Sequence, residues 1–358
     1  MRKFLKKLHL WIGLIFCLPL ILMGLTGSIL IFERESESLF AEKYSLQTVG
    51  EKHSASEIIE AASNALPQGF KPNMYKAAQD QKPASVRFFS LNKKVTEILI
   101  DPISLQALEE ENYSNSIFKT IEQLHTNLLL KDYGGRSIIG CFGIALLLLS
   151  LSGIIIWFPK VGKFKSSLFL QKNLQGYTFH KNLHKVIGFW GFVFLLIMSF
   201  AAIYLAFPKQ INAAIGATFS ARDFTKNITI ENSEEKSLKN VDELIEIAKN
   251  EMPNSNLLSV ILSPKPTQPY KINFSLSHNY QIGHPYATIF INQFSGEILE
   301  ARNPEKYQAA ETFISWQKPL HTAQGLGAIW YIPIFFIGLL PTIFAITGCN
   351  MWLKKRRK

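Results

Sequence analysis

Five of the eight histidines in this 358-residue chain fall where long helices would have to hold them. His9 and His184 open two long uncharged runs, in Leu8-His9-Leu10-Trp11-Ile12-Gly13 and Leu183-His184-Lys185-Val186-Ile187-Gly188. His125 and His321 precede two others, in Leu124-His125-Thr126 and Leu320-His321-Thr322. His180 lies four residues before His184, one turn away on the same helix face. Imidazole is a common axial ligand to haem iron, and helical bundles build such sites from side chains on facing helices. Two imidazoles at one depth on two helices could grip one iron from both sides. The pattern offers one such pair near each face, His9 with His184 and His125 with His321, with His180 as an alternative ligand at the first. Two stacked b-type haems could carry an electron across a bilayer. The chain has no Cys-x-x-Cys-His, which argues against covalent c-type attachment. A plainer reading stays open. Histidines at an interface beside Lys6-Lys7 or Lys181 and Lys185 could belong to a basic flank, although ionisable groups facing a bundle are costly and often functional. His53, His278 and His284 have no repeated counterpart and read as surface residues.

The elements that must position these imidazoles are written in the charge distribution. Four stretches lack Asp, Glu, Lys, Arg and His: residues 10–32, 137–159, 186–208 and 326–353. About 20 apolar residues suffice for a helix to cross a hydrocarbon core. Four transmembrane helices are therefore expected, with Pro19, Pro333 and Pro341 as kinks that neighbouring helices can tolerate. The first run is too long for a signal-peptide core and is not followed by a small-x-small cleavage site, so it reads as an uncleaved anchor. Residues 1–9, 160–185 and 354–358 carry 15 of the 38 Lys and Arg and no Asp or Glu, which leaves the rest of the chain net −4. That asymmetry places both termini and the 160–185 loop in the cytoplasm. It also accounts for the net charge of +11 without any soluble basic domain, so no nucleic-acid partner is expected. Cys17, Cys141 and Cys349 all lie in apolar runs and suggest packing residues, with no disulfide framework.

The chain repeats itself once. Each half reads as a span, an exported segment, Leu-His-Thr, and a span back, closing with Ser152-Gly153…Trp157 or Thr347-Gly348…Trp352. The exported segments, residues 33–136 and 209–325, share a plan. Helical spacing at 54–65 and 241–249 precedes strand-like runs at 86–89 and 95–100, and at 257–262, 270–276 and 287–291. Each is expected to be a small α+β domain, one helix on a short antiparallel meander. A further helix at 116–130 is placed along the membrane surface. The six tryptophans, all in or beside the spans, read as an aromatic belt. The many span glycines fit close helix packing and space for a porphyrin equally well.

The opening Leu-His-Leu-Trp-Ile-Gly, the helix end Thr26-Gly27…Phe32-Glu33-Arg34, the close Ser152-Gly153-Ile-Ile-Ile-Trp157-Phe158-Pro159 and the two inserted domains resemble the PepSY-associated transmembrane family. That family includes iron-regulated inner-membrane proteins and ferric-siderophore reductases of Gram-negative bacteria. The resemblance implies two PepSY-like periplasmic domains, a bacterial inner-membrane location, and haem in the reductase members, which favours ligation over the plainer reading. One departure stands out. The family's Asp-Pro-x-Thr-Gly-Glu turn is Asp101-Pro102-Ile-Ser-Leu-Gln in the first domain and Asn292-Gln293-Phe-Ser-Gly296-Glu297 in the second.

Two functions are expected from these readings. In the first, a haem-containing transmembrane oxidoreductase reduces a periplasmic ferric chelate for iron acquisition. The short cytoplasmic segments cannot house a nicotinamide or flavin domain, and no Gly-x-Gly-x-x-Gly follows a strand, so electrons would come from quinol or a soluble reductase. In the second, the exported domains form a non-catalytic binding or regulatory module anchored by structural helices.

Overall fold

The computed structural model describes residues 2–40, 46–79, 82–90, 94–111, 117–159, 162–230, 237–276, 286–324 and 326–356. These form two compact units. One gathers residues 1–39, 120–221 and 313–358, and the other residues 40–119 and 222–312.

Among the described residues, four helices are long and apolar enough to cross a membrane: α1 (Arg2–Phe40), α4 (Gly135–Trp157), α6 (Gly176–Ala206) and α11 (Ala328–Arg356). α1 contains its uncharged run whole, and each of the other three covers all but two residues of its run. α1 and α6 begin well before theirs, which puts His9, His180 and His184 inside continuous helix. α1 runs through Pro19, and α11 through Pro333 and Pro341. Small residues let α1 and α11 meet. A Cβ added at Gly24 of α1 would collide with the Gly338 carbonyl of α11, and Ser28 donates to the Phe335 carbonyl across the same contact. Arg2 donates to the Ile156 and Phe158 carbonyls at the end of α4, where a cation meets unsatisfied acceptors and the negative end of the helix dipole. Arg136 at the start of α4 does the same for Leu205 of α6. The belt reading of the tryptophans holds only in part. Trp11 and Trp190 are exposed, but Trp157 is buried and stacked on Phe189, and Trp330 is buried with its indole N–H donating to Leu320.

Two short helices carry the remaining site histidines into the first unit. α3 (Ile117–Asn127) ends just past His125, while His321 closes the five-residue α10 (Gln317–His321); further short helices are α5 (Phe164–Ser167), α7 (Pro208–Phe219) and α9 (Ala309–Ser315). Behind each, the backbone turns through the left-handed region before the next span. Leu128, Leu129 and Gly134 have φ of 55, 59 and 79°, and Ala323 and Gly327 both have φ of 59°. For residues with a Cβ this conformation costs about 1–2 kcal/mol each. The surrounding packing must therefore hold these turns in place.

The second unit corrects the expectation of two small separate domains. Its strands are β1 (Phe70–Lys76), β2 (Ala84–Ser90), β3 (Val95–Ile100), β4 (Ala107–Glu111), β5 (Ser255–Ile261), β6 (Tyr270–Leu276), β7 (Ala287–Ile291) and β8 (Ile298–Arg302). They form one antiparallel sheet in the order β4-β3-β2-β1-β5-β6-β7-β8. Each inserted segment does supply a four-stranded meander, but β1 pairs with β5, so neither meander keeps a free edge at the junction. α2 (Ala55–Asn64) and α8 (Val241–Glu251) cover one face. Ile58 and Ala62 join Leu244 and Ala248, Val86, Phe88, Ile98, Ile100, Ile272, Phe274 and Ile289 in a single core. Ser54 caps α2 in a complete capping box with Glu57, and Asn240 caps α8.

The turn after the third strand of each meander has the same geometry in both copies. Asp101 accepts from the Ile103 and Ser104 N–H groups as Asn292 accepts from those of Phe294 and Ser295. Leu105 takes the left-handed place that Gly296 fills in the second copy, with φ of 58 and 79° respectively. On the face away from the helices, Glu97 is buried between Lys76, Ser85 and Arg87. Burial pushes its carboxyl upward, but the Lys76 and Arg87 charges and the hydrogen bonds outweigh that and hold it below the usual carboxylate range.

Candidate functional site

The first unit brings four of the five candidate histidines together in pairs. His9 of α1 and His184 of α6 have ring centres 6.3 Å apart. His125 of α3 and His321 have ring centres 6.0 Å apart. Two imidazoles bonded to opposite sides of one metal at about 2.0–2.1 Å each would have centres about 6.3 Å apart. Both pairs are within a few tenths of an ångström of that separation. Among the described residues no group of three or more His, Cys, Asp and Glu comes together. A zinc site, which needs four ligands or three and a water, has no donor set here. A two-imidazole set suits a metal that brings its other ligands with it, as iron in a porphyrin does.

The hydrogen bonds at the far side of each ring decide the tautomer. His9 Nδ1 lies 2.8 Å from Ser152 Oγ of α4. His184 Nδ1 lies 2.8 Å from Thr347 Oγ1 of α11. His125 Nδ1 lies 2.8 Å from Thr26 Oγ1 of α1. Each hydroxyl donates its one proton back along its own helix, Ser152 to Leu148, Thr347 to Ile343 and Thr26 to Leu22. It can therefore only accept from the imidazole, so Nδ1 carries the hydrogen and Nε2 presents a lone pair. Among the described residues nothing hydrogen-bonds to Nε2 in these rings. Metal-bound histidines are usually fixed in this way, with the outer nitrogen held and the inner one free.

Each hydroxyl is followed by a glycine, and two of these glycines make room for the ring. A Cβ at Gly27 would sit 3.1 Å from His125 Cε1, and one at Gly153 would sit 3.4 Å from His9 Cε1. The packing expected of the span glycines is seen at Gly24 and Gly338, while Gly27 and Gly153 serve a use the sequence does not mark, clearance for the imidazole rings. Burial pushes the His125 and His321 imidazoles down to about 4, and each is neutral near pH 7 as a metal ligand must be.

His180 is not part of either pair. It lies against Phe179, and its buried Nδ1 has no partner. His53 forms a surface pair with Glu57, as expected of it. His278 and His284 lie outside the described residues. The three buried hydroxyls that hold the rings have only a faint mark in the sequence: Thr26-Gly27, Ser152-Gly153 and Thr347-Gly348 each place a hydroxyl before a glycine inside an apolar run.

The family pattern for the PepSY-associated TM region matches residues 6–355. No curated protein matches the chain. The match spans both helix pairs and both inserted segments, and the chain belongs to the PepSY-associated transmembrane family.

Proposed function

We propose that this protein is a transmembrane oxidoreductase holding two b-type haems, one between His9 and His184 and one between His125 and His321. The observation that carries the reading is the pair of ring separations, 6.3 and 6.0 Å, together with Nε2 left free on rings whose Nδ1 is committed. Bound haem iron would supply one-electron transfer between its ferric and ferrous states.

The chain's own part is to hold, orient and shield. α1 and α6 present His9 and His184 from continuous helix, and Ser152 and Thr347 keep their Nδ1 protons away from the metal side. His125 is presented by α3 and held by Thr26. His321 is presented at the end of its short helix, which the Trp330 indole steadies through the Leu320 carbonyl. The proposed topology follows the charge bias, with both termini and His9 and His184 on the cytoplasmic side of a bacterial inner membrane. The pairs then lie toward opposite faces, and electrons from quinol or a soluble donor would leave at the periplasmic one. Resemblance to siderophore-linked family members supplies the acceptor, a ferric chelate whose iron is held less tightly once reduced.

The test is the visible spectrum of the detergent-purified protein before and after dithionite. A red protein with a Soret band that shifts on reduction supports the proposal, and reduction of an added ferric chelate by the dithionite-reduced protein extends it. A colourless protein would end it and favour the non-catalytic PepSY module.

A further inference from the structure

Three of the four ligand candidates have a hydroxyl at Nδ1, and the fourth does not. His321 Nδ1 is buried with no hydrogen-bond partner. The repeat shows what is missing. Thr26 lies 17 residues after His9, and the residue 17 after His184 is Ala201, which is fully buried. Leu320, next to His321, and Met198, three residues before Ala201, pack against one apolar cluster, so the short helix that carries His321 lies against this part of α6. What His125 has and His321 lacks is the hydroxyl.

We propose that Ser152, Thr26 and Thr347 are positioning residues that strengthen their histidines as donors, and that Ala201 leaves His321 the weaker ligand, making its centre the more easily reduced of the two. An imidazole whose N–H is hydrogen-bonded is the more basic ligand and stabilises the more positive metal state. Removing that bond favours the reduced state, and hydrogen bonding around the ligands is one of the protein's controls on haem potential. The terminal-side pair has two supported rings and the other pair one. The difference gives electron flow a direction, from His9 and His184 toward His125 and His321. This inference rests on the two-haem reading above.

Spectroelectrochemical titration of the haem-loaded protein tests it, with the centres assigned by His9→Leu, which removes the first. The wild type should show two midpoint potentials, the higher at the His125–His321 centre. Ala201→Thr and Ala201→Ser should each lower that potential by about tenfold in the ferric-to-ferrous ratio, about 59 mV for one electron. Thr26→Ala should raise it by a similar amount, and Thr26→Ser should leave it in place. Should the Ala201 variants fail to fold, the Thr26 pair still decides. Two haems whose potentials ignore Thr26→Ala, or respond in the opposite sense, overturn this inference and leave the proposed function standing. A protein that takes up no haem overturns both.

Discussion

The two histidine pairs share ring separation and burial but differ in how they are built. His9 and His184 come from the N-terminal stretches of two spanning helices, and both rings lean on a hydroxyl of the next span. His125 and His321 come from short helices set off from the spans by left-handed turns, and only one of them has a hydroxyl. The first pair is placed by continuous secondary structure. The second depends on tertiary contacts such as Thr26 and the Trp330 indole bond to Leu320. Matching pair geometry can thus be reached by two routes of different rigidity, and the second pair is expected to yield more readily to small changes around it.

The largest expected effect comes from removing a ring. His125→Leu or His321→Leu should abolish one haem's absorbance and ferric-chelate reduction together, with the first centre still reducible by dithionite. His184→Leu should do the reverse, leaving the second centre spectrally intact but cut off from a donor on the terminal side. Loss of both haems from any one of these variants would mean that the pairs are not independent.

Smaller effects come next from the supporting hydroxyls. Ser152→Ala and Thr347→Ala should each weaken haem retention at the first centre by about 10- to 100-fold, as is usual when an outer partner of a metal-bound histidine is lost. Competition with apomyoglobin measures this, and unchanged retention would show that the hydroxyls do not orient the rings. The glycines compare the pairs directly. Gly27→Ala crowds His125 more than Gly153→Ala crowds His9, with the added Cβ at 3.1 against 3.4 Å. Gly27→Ala should cost about tenfold in retention at the second centre, and Gly153→Ala should change the first little. Equal losses would erase the proposed difference in rigidity.

The sheet unit should have the smallest effect on either pair. Glu97→Gln removes a buried charge that Lys76 and Arg87 require and should destabilise the sheet by about 1–3 kcal/mol. The haem spectrum should not change. Because the folded-state pKa of Glu97 is depressed, its contribution is complete above the ordinary carboxylate value of about 4.3 and is lost as pH falls below it. Thermal melting of the sheet should therefore decline below about pH 4 in the wild type and less steeply in Glu97→Gln. A haem signal that followed this titration would tie the centres to the sheet.

The four spans and the histidine pairing were legible because both are written in local pattern, uncharged runs and a repeated Leu-His. The strands at 95–100, 270–276 and 287–291 also match, since their apolar residues are continuous or alternating. Three strands were missed for physical reasons. β1 carries Pro72 and a register shift between Pro72 and Met74, and both interrupt the expected alternation. β4 and β8 are edge strands with charged side chains, which edges favour and strand patterns lack. The joining of the two meanders through β1 and β5 is a contact between residues far apart in sequence, and no local signal marks it. The hydroxyls at Thr26, Ser152 and Thr347 looked like ordinary small polar residues in apolar helices. Only the positions of the rings show what they do.

Haem stoichiometry of the purified wild-type chain, by pyridine haemochrome assay against protein concentration, tests the two-haem assignment most directly. Two b-type haems per chain are expected, both low-spin with two nitrogen ligands. No haem, or a single haem unaffected by His321→Leu, would contradict it.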